Sequence, residues 1–151
     1  MTNDLKARAA LAQELEAMLY DYWNDVDTNW GRTAGSYYTE DADFVGEAAT
    51  YSGRDKIEAF YAWRVAQGAR LAVHAVNNFR VGSISETSAK ATWYLLLYAA
   101  NGEPILPTHP PITISLVSDD YERGPDGGWL CKRRQFKTLF QGGAPAHNPK
   151  L

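Results

Sequence analysis

Apolar residues near the start of the chain recur at three- and four-residue steps, which is the spacing of one face of an α-helix. This pattern predicts a long helix over residues 4–29, and its interior is rich in Ala, Leu and Glu, which favour helix. A short second helix is predicted through Tyr37 and Tyr38. A third helix is predicted to open at Gly53 and to end near Gly68.

Beyond the third helix the hydrophobic period changes from helical to two, the period of a strand. Four long segments rich in β-branched and aromatic residues follow, separated by turn signals. The predicted strands are 71–84, 88–101, 111–123 and 128–140. Before them, Asp41–Asp43 is predicted to be a turn, and residues 44–51 one or two short strands. Helices followed by antiparallel strands predict an α+β domain.

The predicted strands are longer than average, so the sheet must bend. Candidate bending points are Gly82, Gly102 and the bulge-prone pair Asn77-Asn78. A bent sheet closed by helices makes a cone with an interior pocket. We expect one domain over residues 1–151, with residues 142–151 forming a loose tail.

Composition narrows the function classes. The chain has 151 residues, of which 45% are hydrophobic and 22% charged, with a formal net charge of −3. This charge excludes a strongly basic nucleic-acid binder. The single cysteine, Cys131, can form neither an internal disulfide nor a thiolate zinc site by itself. The aromatic content of 13% suits a cavity for a flat or apolar organic molecule, although a well-filled core would also explain it.

The chain shows no pattern of a targeting or membrane segment. Its first residues carry charges throughout and have no apolar central run. No stretch approaches the ~18–20 apolar residues that a membrane span requires. We therefore expect a cytoplasmic protein with a small-molecule substrate and with neither nucleic acid nor membrane as partner.

Three motifs resemble the SnoaL-like branch of the nuclear transport factor 2-like (NTF2-like) superfamily. They are Tyr38-Thr-Glu-Asp-Ala-Asp-Phe, Tyr51-Ser-Gly-Arg-Asp-Lys-Ile and Val73-His-Ala-Val-Asn-Asn-Phe-Arg-Val. The resemblance covers the chain from about Leu5 to Phe140. It implies a cone-shaped, curved antiparallel sheet covered by three N-terminal helices and enclosing a pocket. This fold hosts enzymes, binding modules and subunits without chemistry.

Within the superfamily, the chain is most similar in function-bearing positions to scytalone dehydratase, bile-acid dehydratase and hexachlorocyclohexane dehydrochlorinase. These lyases use an Asp late in the first helix and a His on the strand after the third helix, and the matching residues here are Asp27 and His74. Tyr22 matches a tyrosine of the bile-acid dehydratase. The helical pattern alone does not choose Asp27 over Asp25, and a hydrogen-bonded core histidine is the alternative for His74.

Two departures limit this likeness. Scytalone dehydratase has a tyrosine where this chain has Val26, and it has a second histidine near the place where this chain offers Tyr98. Ketosteroid isomerase, another member, uses an acid just after the first strand. The aligned region here is Val45-Gly46-Glu47, so that motif is displaced or absent.

A neutral imidazole accepts a proton near neutral pH, since its unperturbed pKa is ~6.5. A carboxylate beside it fixes the tautomer and stabilises the cation that forms. The natural reaction is proton abstraction next to a carbonyl and loss of hydroxide or halide, without metal or organic cofactor. Phenols at Tyr22, Tyr38 or Tyr94 could polarise the carbonyl. The candidate substrate-binding residues are Tyr38, Tyr94, Trp23 and Leu96.

The sequence therefore predicts a cofactor-independent lyase, of dehydratase type, acting on a small cyclic or aromatic-like compound. One alternative is a non-catalytic ligand-binding module or the small (beta) subunit of a ring-hydroxylating dioxygenase. Another is an isomerase or a polyketide-cyclase-like enzyme. The resemblance also implies a homo-oligomer, a dimer or trimer. Whether His109 or the basic residues of the last strand, 132–134 and 137, reach the pocket stays open.

Overall fold

Two α-helices and six strands form within residues 2–142, the part of the chain that the computed structural model describes. The helices are α1 (Thr2–Asn29) and α2 (Arg54–Ala66), and the strands are β1 (Tyr38–Val45), β2 (Thr50–Ser52), β3 (Arg70–Ile84), β4 (Ser88–Asn101), β5 (Thr113–Arg123) and β6 (Trp129–Gln141). Neither of these helices is long and apolar enough to cross a bilayer. The tail predicted over 142–151 lies outside the described residues from position 143.

The strands form one sheet in the order β2-β1-β6-β5-β4-β3. All neighbours are antiparallel except β1 and β6, which run parallel. The last strand therefore inserts between β1 and β5, so that residues far apart in sequence meet at the centre of the sheet. The predicted α+β architecture with a curved sheet is confirmed, with this one parallel pair as an addition.

The sheet bends where β3 departs from regular pairing with β4. Register shifts lie between Asn77 and Arg80 and between Val81 and Ser83, and Asn78 has a φ of 55°. Bulges of this kind increase the local twist and bend the strand. The predicted bends at Asn77-Asn78 and Gly82 are confirmed, whereas Gly102 lies in the loop just after β4.

The segment between the helices differs from its prediction. The predicted second helix is a single 3₁₀ turn over Ala34–Tyr37, and the predicted turn at Asp41–Asp43 is wrong, because these residues lie inside β1. Asp41 forms an ion pair with Lys132 of β6, and Asp43 Oδ2 lies 3.6 Å from Arg133 Nη1 of the same strand. These cross-strand partners are remote in sequence, and they override the local preference of Asp for turns.

Both helices pack on the concave face of the sheet. Leu15 and Leu19 of α1 and Ile57 of α2 are buried against a core that includes Trp93 and Val117 of the sheet. The apolar stripe of α1 continues to its last turn, which lies beside β3. This packing brings the C-terminal end of α1 against β3.

Candidate active site

Asp27, in the last turn of α1, binds His74 of β3 through both carboxylate oxygens. The His74 backbone N–H donates to Asp27 Oδ2 at 2.9 Å, and the ring Nδ1 lies 2.6 Å from Oδ1. The side chains are 6% exposed for His74 and 17% for Asp27. Because an ionised carboxylate only accepts hydrogen bonds, Nδ1 carries the proton. The neutral ring then keeps its lone pair on Nε2.

The indole of Trp23 fixes the plane of the imidazole. Trp23 precedes Asp27 by one helical turn, so both side chains leave α1 on the same face. The rings of Trp23 and His74 stack with centroids 4.0 Å apart and an interplanar angle of 6°. The imidazole is therefore held at its edge by Asp27 and across its face by Trp23.

Burial lowers the pKa of His74 below its ordinary value of 6.5. The hydrogen bond and the negative charge of Asp27 act in the opposite direction, and the positive charges of Arg64 and Arg70 lower the pKa further. Desolvation dominates because it disfavours the charged imidazolium. The ring is neutral at pH 7 and available as a base.

His74 lies in the wall of a cavity of about 90 Å³. Apolar and polar residues share this wall. The apolar residues are Trp23, Phe44, Phe60, Leu95, Leu97, Ile112 and Phe136, and the polar ones are Glu47, Tyr61, Arg64, Arg70, His74, Thr113, Ser115 and Thr138. Within residues 2–142, no three His, Cys, Asp or Glu side chains come together in a way that could hold a metal ion.

A chain of tyrosine hydroxyls leads from the core to this wall. Arg134 donates to the Tyr38 hydroxyl at 3.3 Å, Tyr38 donates to Tyr22 at 2.9 Å, and the Tyr22 and Tyr61 hydroxyls are hydrogen-bonded to each other. Either hydroxyl of the Tyr22–Tyr61 pair can be the donor, because Tyr22 has a second lone pair besides the one that accepts from Tyr38. Burial raises the pKa of Tyr22, Tyr38 and Tyr61 well above that of an ordinary tyrosine, so all three stay protonated.

Arg134 is itself held by a buried ion pair. Its Nε lies 2.9 Å from Asp119 Oδ1 and its Nη2 lies 3.0 Å from Oδ2, and both residues are almost fully buried. Asp119 also accepts from Trp93 Nε1 at 2.8 Å and from the Tyr121 hydroxyl at 2.7 Å. The far end of the tyrosine chain is thus anchored in the buried centre of the sheet.

A family model described as a SnoaL-like domain matches residues 6–135. The chain belongs to the SnoaL-like family. This family includes polyketide cyclases and ring-hydroxylating subunits. No curated protein sequence matches the chain.

Several solved structures share the fold of this SnoaL-like domain. ActVI-ORFA from Streptomyces coelicolor is 20% identical with a TM-score of 0.75, over 89% of this chain and 99% of that chain. A protein from Catenulispora acidiphila in complex with S-DNPA is 19% identical with a TM-score of 0.72, over 87% and 95%. An NTF2-like protein with a cystatin-like fold from Novosphingobium aromaticivorans is 20% identical with a TM-score of 0.67, over 92% and 90%. The predicted membership and cone fold are confirmed.

Five of the seven residues predicted for the site of this SnoaL-like domain lie at the cavity wall or behind it. His74 and Trp23 line the cavity, and Asp27 holds His74 from behind. Tyr22 and Tyr38 are buried behind the wall, where their hydroxyls connect to that of Tyr61 and their rings pack edge-on against residues of the wall. Contrary to the prediction that they face the pocket, neither residue lines the cavity.

Tyr94 and Leu96 do not line the cavity. Successive strand residues point to opposite faces, and in β4 it is Leu95 and Leu97 that face inward. Tyr94 is 38% exposed on the outer face. The sequence of β4 does not reveal which of its two faces lies on the concave side of the sheet, because the residues on both faces are large and apolar.

The other candidates that the sequence left open also have definite positions. Asp25 accepts from Asn29 Nδ2 at 2.7 Å and from the Thr33 backbone N–H at 3.1 Å. It therefore stabilises the C-terminal end of α1, whereas Asp27 is the residue that binds His74. His109 donates from Nδ1 to the Pro110 carbonyl at 2.7 Å and lies in a groove on the outer face of the sheet. Of the basic residues on the last strand, none lines the cavity.

Sequence reasoning missed Tyr61, Arg64, Arg70 and Glu47 in the cavity wall. Periodicity contained part of the signal. Tyr61 and Arg64 are three residues apart on α2 and share a helix face. Arg70 precedes His74 by four residues on β3 and therefore points to the same side of the strand.

Proposed function

We propose that this SnoaL-like domain is a cofactor-independent lyase that eliminates water or a similar small leaving group from a small cyclic or aromatic-like compound. The observation that carries the proposal is the neutral His74 ring, hydrogen-bonded to Asp27 and exposed to a cavity with aromatic walls. His74 Nε2 takes the proton from a carbon next to a carbonyl. The carbon–hydrogen electron pair forms the double bond while the leaving group departs as hydroxide, which regains the proton from the imidazolium as water.

Asp27 and Tyr61 support this step in two different ways. The carboxylate of Asp27 stabilises the imidazolium, as in other histidine–aspartate pairs. Within residues 2–142 the Tyr61 hydroxyl has no hydrogen bond other than the one with Tyr22. In the arrangement in which Tyr22 donates to it, Tyr61 can donate its own proton to the carbonyl oxygen as negative charge develops there.

His74→Gln tests the proposal. A panel of cyclic β-hydroxy ketones is incubated with the wild-type protein, and loss of water is followed by the ultraviolet absorbance of the conjugated ketone. We expect His74→Gln to abolish turnover with little change in Tm, and His109→Gln, on the outer face, to leave turnover unchanged. If His74→Gln keeps wild-type turnover, the proposal is wrong. Binding of panel members without turnover would favour the ligand-binding module instead.

Glu47 favours an isomerase as the second candidate function. It contributes a carboxylate to the cavity wall and accepts from the Thr138 backbone N–H at 2.5 Å, which holds it at the rim. A carboxylate there could move a proton between two carbons without loss of a leaving group. Under this alternative, Glu47→Gln removes activity and His74→Gln retains it, which is the reverse of the lyase expectation.

The homo-oligomeric state and the cytoplasmic location stay predictions. The outer face of β3 and β4 carries partly exposed apolar side chains, among them Val73, Tyr94 and Tyr98. We propose that these residues contribute to contacts between copies of the chain. Light scattering of the purified protein should give a mass two or three times the 16.8 kDa of one chain, and the mass of a single chain would contradict this.

A further inference from the structure

Two arginines lie in the cavity wall together with His74. Arg64 comes from α2 and Arg70 from β3. Within the described part of the chain, neither guanidinium forms an ion pair, and the Nε of each is buried without a hydrogen-bond partner. The acids nearby do not supply these bonds, because Asp27 is occupied by His74 and Glu47 is hydrogen-bonded to Thr138.

Both arginines are partly buried, and a buried polar atom without a hydrogen-bond partner costs free energy. The guanidinium of Arg64 lies 5.9 Å from the ring centroid of Tyr61, but this contact does not fill its Nε–H donor. Desolvation lowers the pKa of Arg64, and it lowers the pKa of Arg70 to about 10. The positive charge of Arg64 contributes to the shift of Arg70. Both guanidinium groups therefore stay charged at neutral pH and repel each other. An anion between them would relieve the repulsion and fill the free N–H donors.

The charge count around the imidazole favours a monoanion. The charges that act on the His74 ring are two positive ones, from Arg64 and Arg70, and one negative one, from Asp27, while the ring itself is neutral. Glu47 is left out of this set because it lies exposed at the rim, bound to Thr138. One carboxylate balances this set, and its planar pair of oxygens matches the fork of a guanidinium. A phosphate group carries about two negative charges and would leave this set of groups with a net negative charge.

We propose that Arg64 and Arg70 bind a carboxylate group of the substrate. This inference rests on the proposed function and narrows its substrate class to small cyclic or aromatic-like acids. The carboxylate is held at the α2 and β3 side of the cavity, and the ring lies against the aromatic walls. The reacting carbon is thereby placed beside His74. Arg64 and Arg70 act as binding and positioning residues.

Matched acid and amide probes test this proposal without a known substrate. Benzoate, phenylacetate and cyclohexanecarboxylate, and the neutral amide of each, are titrated into the protein at pH 7.5 by isothermal calorimetry. We expect at least one acid to bind and to bind more tightly than its amide. Arg64→Gln and Arg70→Gln should each weaken binding of that acid by about 10- to 100-fold and leave the amide unaffected.

Arg80→Gln is the matched control, because Arg80 is an exposed arginine on the same strand as Arg70. It should bind the acid as the wild type does. His74→Gln should also keep acid binding, so a failure of the lyase proposal would be seen separately. If a glutamine variant does not fold, the wild-type Tm is compared with acid and with amide, and a larger rise with the acid is expected. Equal binding of acid and amide, absence of acid binding, or acid binding unchanged in both variants would overturn the proposal.

Discussion

Replacing Arg134 with methionine removes the cation of the buried pair that anchors the tyrosine chain. The variant leaves the Asp119 carboxylate at the centre of the sheet with two neutral donors, Trp93 Nε1 at 2.8 Å and the Tyr121 hydroxyl at 2.7 Å. Breaking a buried ion pair by removing one partner costs about 3–5 kcal/mol of the free energy of unfolding. Methionine fills much of the space of the arginine stem, so the loss reports mainly on the charge.

The loss is large enough to measure by thermal denaturation followed by circular dichroism. For a domain of this size, 1 kcal/mol shifts Tm by about 2–4 °C, so Arg134→Met should lower Tm by about 6–20 °C. Lys90→Met is the matched control, because Lys90 pairs with Asp120 at 2.8 Å on the exposed face of the sheet, one position from Asp119. Exposed pairs contribute about 0–1 kcal/mol, so this variant should lose at most about 4 °C.

A double variant separates the charge effect from local packing. Adding Asp119→Asn to Arg134→Met removes the stranded charge, so the double variant should lose less stability than the two single losses added together. The reasoning is refuted if Arg134→Met is no more destabilising than Lys90→Met, or if the single losses simply add.

Three further predictions concern the site. Asp27→Asn should lower turnover by about 10⁴-fold, because the asparagine amide donates to His74 Nδ1 and moves the ring proton to Nε2. Asp25→Asn is the control and should keep turnover. A loss under tenfold in Asp27→Asn would contradict the pairing of Asp27 with His74. Because the pKa of His74 is lower in the folded protein than its ordinary value of 6.5, the unfolded chain binds the proton more tightly. The contribution of His74 to the free energy of unfolding is therefore full above pH 6.5, and it is lost as pH falls through the folded-state pKa. Urea denaturation from pH 8 to 5 should therefore show a steeper loss for the wild type than for His74→Gln, and parallel curves would refute this. Tyr61→Phe should lower kcat with little change in KM, and a change in KM alone would assign Tyr61 to binding.

The elements with strong local periodicity could be predicted closely from the sequence. The predicted helix over 4–29 and the strand over 88–101 correspond to α1 (Thr2–Asn29) and β4 (Ser88–Asn101). The region from Tyr38 to Val45 could not, because β1 is stabilised by parallel pairing with β6 and by ion pairs to Lys132 and Arg133. These contacts join residues about ninety positions apart, and no local pattern contains them.

The candidate site shows the same division. Resemblance supplied Asp27 and His74, and the structure brings their side chains to 2.6 Å. The resemblance did not point to Arg64 and Arg70. Periodicity placed them on the faces of Tyr61 and His74, but an arginine on an amphipathic helix or at the start of a strand is ordinarily a solvated charge. Their candidate role is visible only in the structure, where both side chains line the cavity and their Nε atoms are buried without hydrogen-bond partners.

The protonation state of the His74 ring in the wild-type protein tests the central claim most directly. Nitrogen-15 NMR of the imidazole distinguishes the two neutral tautomers and the cation, and it requires no substrate. At pH 7 we predict a neutral ring with the proton on Nδ1, facing Asp27, and an unprotonated Nε2 facing the cavity. A ring protonated on Nε2, or an imidazolium at pH 7, would contradict the account, because no lone pair would then be available as the base.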